Sequence, residues 1–262
     1  MTTRTRLLGA LLAVLAHSHP AGSAPLPAEQ TEGPLTVCLA DANPPFSASS
    51  LPDGGLDAEL ARAIGRQLGR EIRLVWVTIP NRGGLGKALG QQLGGGACSL
   101  FAGIPESGGP NEDLTEKNLM ASDGYLETGY VLIAAHGSLR SLDEARRLNR
   151  IGVVTATPAD LYLFQQQLRR VPHGSNEALL AALAEGSVDA AVLWQPALAR
   201  ARLQGKAPTA NGIQLPGASR TRFVLALPRK DPALLARVNA ALAHLRTDGS
   251  LASILQTHGL AP

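Results

Sequence analysis

Aromatic side chains are scarce. Phe, Tyr and Trp make up 3% of the 262 residues, so a large aromatic-lined pocket is not expected. Charge is scarce as well, at 17%, against 45% hydrophobic residues, which suits a packed globular chain and not a disordered one. Neither sign dominates. The formal net charge is +3, and two of those charges, Arg4 and Arg6, fall in the N-terminal stretch described below. A nucleic-acid binder of the basic-patch kind is therefore excluded as an expectation. After the N-terminal stretch no apolar run approaches the ~20 residues that span a bilayer.

Motifs for chemistry are also missing. Gly84-Leu85-Gly86-Lys87-Ala88 follows a strand-like run, but a phosphate loop needs Gly at 81 and Ser or Thr at 88, where Asn81 and Ala88 stand. A dinucleotide turn needs Gly at 89, which is Leu89. No Gly-x-Ser-x-Gly elbow occurs, and His136, His173, His244 and His258 show no metal-ligand spacing. No cofactor and no metal are expected. Asp41, Glu106 and Glu127 are the acids that general acid/base work in a cleft would use; solvated or hydrogen-bonding loop acids are the favoured reading, and an enzyme is not expected.

What is present begins with a short basic start and the ten-residue apolar run Leu7 to Ala16. This pattern reads as a signal peptide over residues 1–24, with cleavage near Ala21-Gly22-Ser23-Ala24, and places the mature protein in the periplasm. No cysteine stands at that junction, so no lipid anchor is expected. Residues 25–34 form a Pro-rich arm without pattern. In an oxidising compartment Cys38 and Cys98 read first as one disulfide, with two buried free thiols as the alternative.

Beyond the arm, strand-like and helix-like segments alternate. Leu35 to Ala40 reads as a strand; Leu56, Leu60, Ile64 and Leu68 mark a helix capped by Gly69. Ile72 to Val77 and Cys98 to Ala102 read as strands around a helix over Leu85 to Leu93. The alternation resumes with strands over Tyr130 to Ala135 and Ile151 to Val154, the second after a helix over Ser141 to Leu148. Thr157-Pro158-Ala159-Asp160 is a well-marked helix start. A helix over Asn176 to Glu185, strands over Val188 to Leu193 and Arg222 to Leu227, and helices through Leu234 to Leu245 and Leu251 to Thr257 complete the chain. The fold class is α/β, with mostly parallel sheets in two lobes and a central cleft. Lobe 1 is expected over 35–127, lobe 2 over 128–220, and a return to lobe 1 over 221–262.

The order of these elements carries a resemblance. Together with Gly55-Leu56-Asp57-Ala58-Glu59-Leu60, Gly124-Tyr125, Gly186-Ser187-Val188-Asp189-Ala190 and Ile254-Leu255-Gln256-Thr257-His258-Gly259, it resembles family 3 periplasmic solute-binding proteins from Leu35 onward. The resemblance implies two lobes joined by two crossing segments, near Glu127 to Ala134 and Thr221 to Leu227, that close on a ligand. It implies a monomer that holds a small polar solute and delivers it to the membrane subunits of an ABC importer. The loops facing the cleft would supply Asp41, Asn43, Phe46, Gly103, Glu106, Tyr125, Thr155, Thr157, Trp194 and Gln195 as ligand-binding residues.

A narrower likeness lies in Cys38 to Ser47, Pro80-Asn81-Arg82-Gly83-Gly84, Ala97-Cys98 through Pro105, and Trp194-Gln195-Pro196. These look like the quinoprotein-dehydrogenase-associated MoxJ/XoxJ-like branch, whose members are thought to be periplasmic accessories of alcohol dehydrogenases that use pyrroloquinoline quinone. Such a partner is the alternative to an importer; a cleft enzyme such as a dehydratase is a further one. Amino-acid receptors of the wider family carry a Thr-x-x-Arg segment that grips the ligand carboxylate. Between Ala102 and Tyr125 this chain has no Arg, which points away from an α-amino acid held there by its carboxylate.

Overall fold

The computed structural model describes residues 33–215 and 220–260. The expected leader and most of the arm lie outside the described residues. Eleven strands and nine helices are found among those described.

The first sheet takes up β1 (Leu35–Ala40), β2 (Ile72–Val77), β3 (Leu100–Ser107), β4 (Leu119–Ala121) and β5 (Leu126–Thr128). Its order is β2-β1-β3-β11-β4, where β11 (Thr221–Pro228) returns from late in the chain and also pairs β5. The second sheet holds β6 (Tyr130–Ala134), β7 (Ile151–Val154), β8 (Arg170–His173), β9 (Ala190–Trp194) and β10 (Ile213–Gln214), in the order β10-β6-β9-β7-β8. Each sheet mixes parallel pairs, such as β1 with β2 and β3, with antiparallel ones. In the first sheet β11 runs against β3, and in the second β6 runs against β9.

Helices cover both sheets because each presents one apolar face. α1 (Leu56–Leu68) buries Leu56, Leu60 and Ile64 against β1 and β3 and ends at Gly69 in the left-handed region. α8 (Pro232–Thr247) and α9 (Ser250–Thr257) add Val238, Leu242 and Leu255 to the same core. On the other face α2 (Gly84–Leu89), a π-helical turn (Gly90–Gly94) and α3 (Glu112–Glu116) pack Leu89, Leu93 and Leu114 over Phe101 and Val224. The second sheet is covered by α4 (Leu142–Ala145), α5 (Pro158–Gln165), α6 (Asn176–Ala184) and α7 (Gln195–Leu203). None of the described helices is long and apolar enough to cross a membrane.

Several expected boundaries move. β3 starts at Leu100, not Cys98, and runs on to Ser107, because β11 supplies an antiparallel partner for Ile104 through Ser107. The helix expected over Leu85 to Leu93 is α-helical only to Leu89 and then widens. That expected over Ser141 to Leu148 shrinks to Leu142–Ala145.

Cys38 and Cys98 form a disulfide, with Cα atoms 5.8 Å apart. It ties β1 to the segment that enters β3.

Candidate functional site

Gly129 alone separates β5, in the first sheet, from β6, in the second. Beside it Thr221 of β11 lies opposite Thr128 of β5, so the outgoing and returning strands meet at one corner. From this corner a cleft of about 730 Å³ opens between the two sheets. Residues from both walls line it.

The first wall is built by the loop after β1. Its Asp41 carboxylate accepts the backbone N–H groups of Ala42 and Ser49 at 2.8 Å and the Ser49 hydroxyl at 3.0 Å. These donors hold the carboxyl below the usual carboxylate range, the Ser49 and Ala42 backbone bonds first. Asn43 pairs with Ser47 through two backbone bonds, and the Pro44–Pro45 peptide is cis. Gly55 fits this loop onto α1: at φ +93° it leaves no room for a Cβ, which would fall 2.6 Å from the Phe46 carbonyl. The N–H groups of Leu56 and Asp57 then reach the carbonyls of Pro45 and Phe46.

Phe46 emerges from that loop and stacks on Phe223 of β11, with ring centroids 4.4 Å apart. On the opposite wall Tyr130 and Trp194 are register partners across β6 and β9, and their rings lie 5.2 Å apart. Each wall therefore contributes one aromatic pair. The composition argued against an aromatic-lined pocket, yet four of the chain's few aromatic residues converge here.

Polar groups fill the space between the pairs. Thr157 caps α5 by accepting the Asp160 N–H and donates to the Val154 carbonyl at 2.8 Å. Burial pushes the neighbouring Tyr130 phenol up, opposed in part by a hydrogen bond with Thr157. Asn176 opens α6, and its side-chain oxygen is buried without a hydrogen-bond partner. Ser107 and Thr221 share a 2.7 Å hydroxyl contact. Among the described lining residues Asp41 is the one charged side chain, and no Arg or Lys reaches the cleft wall.

Of the ten residues expected to bind ligand, Asp41, Asn43, Phe46, Gly103, Thr157 and Trp194 line the cleft. The other four do not. Glu106 points to the opposite face of β3, where its buried carboxylate takes a 2.6 Å ion pair from Arg222. Tyr125 is buried beside β11, with its backbone N–H on the Phe223 carbonyl and its hydroxyl on Asp57 at 2.6 Å. Thr155 is exposed and donates to the His173 carbonyl, and Gln195 accepts a hydrogen bond from Thr128 at the corner itself. In their place Tyr130, Asn176, Ser107, Thr221 and Phe223 belong to the lining. Asn176 carried one readable signal, its position directly after the Ser175 helix cap.

The three acids considered for catalysis are all engaged. Asp41 is held by loop donors, Glu106 by Arg222, and Glu127 by Arg220.

No protein-family model matches the chain. No curated protein matches either. Solved structures do. The second substrate binding domain of a Streptococcus pneumoniae protein is similar over 86% of this chain and 99% of its own, at 20% identity and a TM-score of 0.69. Substrate binding domain 2 of Lactococcus lactis GlnP, in an open conformation, covers 87% and 95% at 18% identity and a TM-score of 0.70. The unliganded, open L-cystine solute receptor of Neisseria gonorrhoeae covers 86% and 92% at 18% identity and 0.69. The fold is that of the type II periplasmic binding proteins. At these identities the likeness speaks for architecture, and the cleft chemistry is this chain's own.

Proposed function

We propose that the chain is an exported, periplasmic solute-binding protein that captures a small polar solute between its lobes without chemistry and hands it to the membrane subunits of an ABC importer. The observation that carries this reading is the two-walled cleft: an aromatic pair on each side, hydroxyls and an unpartnered Asn176 oxygen between them, and Asp41 as the one charge. Aromatic faces hold an apolar or cationic body, while convergent polar groups fix its orientation. A cleft that presents a carboxylate and no cation favours a neutral or positively charged solute carrying hydrogen-bond donors. It disfavours a ligand held by a bare carboxylate. The neighbours from S. pneumoniae, L. lactis and N. gonorrhoeae, named as substrate binding domains and a solute receptor, support the same class.

The test is ligand-dependent thermal unfolding with amines, polyamines, neutral polyols, amino acids and organic acids, read together with Trp fluorescence. A solute at ~100 times its dissociation constant adds about 2.7 kcal/mol to native stability. A positively charged or neutral hit that also shifts Trp194 emission supports the reading, and Trp76→Phe leaves Trp194 as the sole tryptophan. Selective stabilisation by dicarboxylates alone would contradict it.

A second reading has its own observation. Leu161 and Phe164 are 56% and 62% exposed on α5, directly beyond the cleft residues Thr157 and Pro158. Apolar side chains at a lip suit a protein partner, as in the accessory of a quinoprotein dehydrogenase that the segments around Cys38 and Cys98 resemble. A flat solute panel with capture of such a dehydrogenase through this lip would favour it.

A further inference from the structure

Outside the cleft lining, three metal-capable side chains converge in the first lobe. Asp53 sits in the loop that leads into α1, Glu59 in the first turn of α1, and His258 at the C-terminal cap of α9. One ligand atom from each lies within 4.8 Å of the other two. His258 is 7% exposed, and its buried Nε2 makes no well-aligned hydrogen bond, its near neighbour being the Glu59 carboxylate in an ion-pair contact. That nitrogen is aimed at the acids: Glu59 Oε2 is 3.3 Å away.

A buried imidazole nitrogen that faces a carboxylate without a well-aligned hydrogen bond is costly unless something between them satisfies it. Here the spacing suggests what that is. Four-coordinate zinc holds its N and O ligands at about 2.0–2.1 Å, so two neighbouring ligand atoms on a tetrahedron stand about 3.3 Å apart. The His258–Glu59 separation matches that edge. The backbone already fixes the third ligand: Asp53 Oδ1 accepts the Gly55 N–H at 3.0 Å, and Arg62 grips the Asp53 carbonyl at 2.6 Å.

We propose that Asp53, Glu59 and His258 form a binding site for a zinc-class divalent transition-metal ion. One imidazole with two carboxylates suits such an ion, whereas calcium and magnesium prefer oxygen ligands alone. Three protein ligands leave a position for water. The bound ion joins the C-terminal helix to the loop that begins with Asn43 and Phe46 and ends at α1. It is a staple of the first lobe, and none of its three ligands lines the cleft.

The test uses the full chain, purified without a histidine tag and stripped with a chelator. Zinc chloride is titrated by calorimetry, metal content is measured after gel filtration, and thermal unfolding is followed with zinc, calcium and magnesium. The expected result is one zinc per chain, a higher unfolding midpoint with zinc alone, and affinity at least about tenfold weaker in Glu59→Gln and in His258→Gln. Glu59→Gln guards against a folding defect at the more buried histidine. Zinc uptake unchanged in both variants, no uptake by the folded chain, or a larger response to calcium would overturn the proposal.

Discussion

The Tyr125 phenol donates a 2.6 Å hydrogen bond to Asp57 Oδ1, and both side chains are buried. The other Asp57 oxygen has no partner and lies against Gly103, a residue of the cleft wall. One buried carboxyl at the start of α1 therefore touches both Tyr125, next to β5, and Gly103 of the cleft wall.

Burial, opposed by the Tyr125 bond, raises the Asp57 pKa to about 7. In an unfolded chain an aspartate titrates near 3.9. Between roughly pH 4 and 7 the folded chain thus keeps a proton that the unfolded chain has released. Its stabilising contribution is complete below about pH 4 and declines as pH rises, by up to about 1.4 kcal/mol per unit, before levelling off above about 7. Urea unfolding of wild type and Asp57→Asn from pH 5 to 8 measures this. The gap between the two should shift in favour of Asp57→Asn as pH rises to about 7 and then level off; parallel curves would refute the assignment.

Gly103 has φ +79°, and a Cβ on it would lie 2.5 Å from Asp57 Oδ2. Gly103→Ala therefore meets both backbone strain and a buried carboxyl. A loss of about 1–3 kcal/mol in stability is expected, read from the urea midpoint.

Asp41 makes the opposite pH prediction. Its lowered pKa means that its hold on the Ala42 to Ser49 loop is present above about pH 4 and disappears as pH falls through the folded-state value. Asp41→Ala removes the hold at neutral pH. Faster hydrogen exchange at the Ala42 and Ser49 amides is expected, along with weaker solute binding; unchanged protection would show that the loop stands without it.

Arg222→Leu leaves the Glu106 carboxylate buried and unpaired on the side of β3 away from the cleft. Arg222 is half-exposed, so the cost belongs at the lower end for breaking a buried pair, about 3 kcal/mol. Solute affinity should be unaffected. Adding Glu106→Gln to that variant should restore part of the stability, and a double variant as unstable as Arg222→Leu would place the cost elsewhere.

Reducing the Cys38–Cys98 bridge, or replacing both cysteines by Ser, is expected to cost about 2–5 kcal/mol, since the bridge closes a long loop. Comparing denaturation with and without reductant checks this.

The sheets were legible in outline because Leu35 to Ala40, Ile72 to Val77 and Ile151 to Val154 are short apolar runs between clear punctuation. β8 was hidden by Pro172, which an edge strand tolerates. α7 was hidden because Trp194-Gln195-Pro196 reads as a turn, although Pro suits a first helical turn. The cleft was legible where a loop follows a strand end, as at Asp41, Asn43 and Trp194. It was not legible at Thr221 and Phe223, which reach the wall only because β11 crosses back beside β3. Glu106 was misplaced by one position on that strand: Pro105 and Ser107 face the cleft and Glu106 faces away, a parity that pairing alone determines. The Asp53, Glu59 and His258 cluster joins opposite ends of the chain, beyond the reach of any spacing rule.

The disulfide consumes both cysteines of the chain. Thiols introduced on the surface would thus be the only reactive ones, and a label placed at Leu161 beside one wall, with a second at Ala42 on the other, would report the gap between them. Spin or fluorophore distances between them test whether the two walls close on a ligand, without first removing a native cysteine.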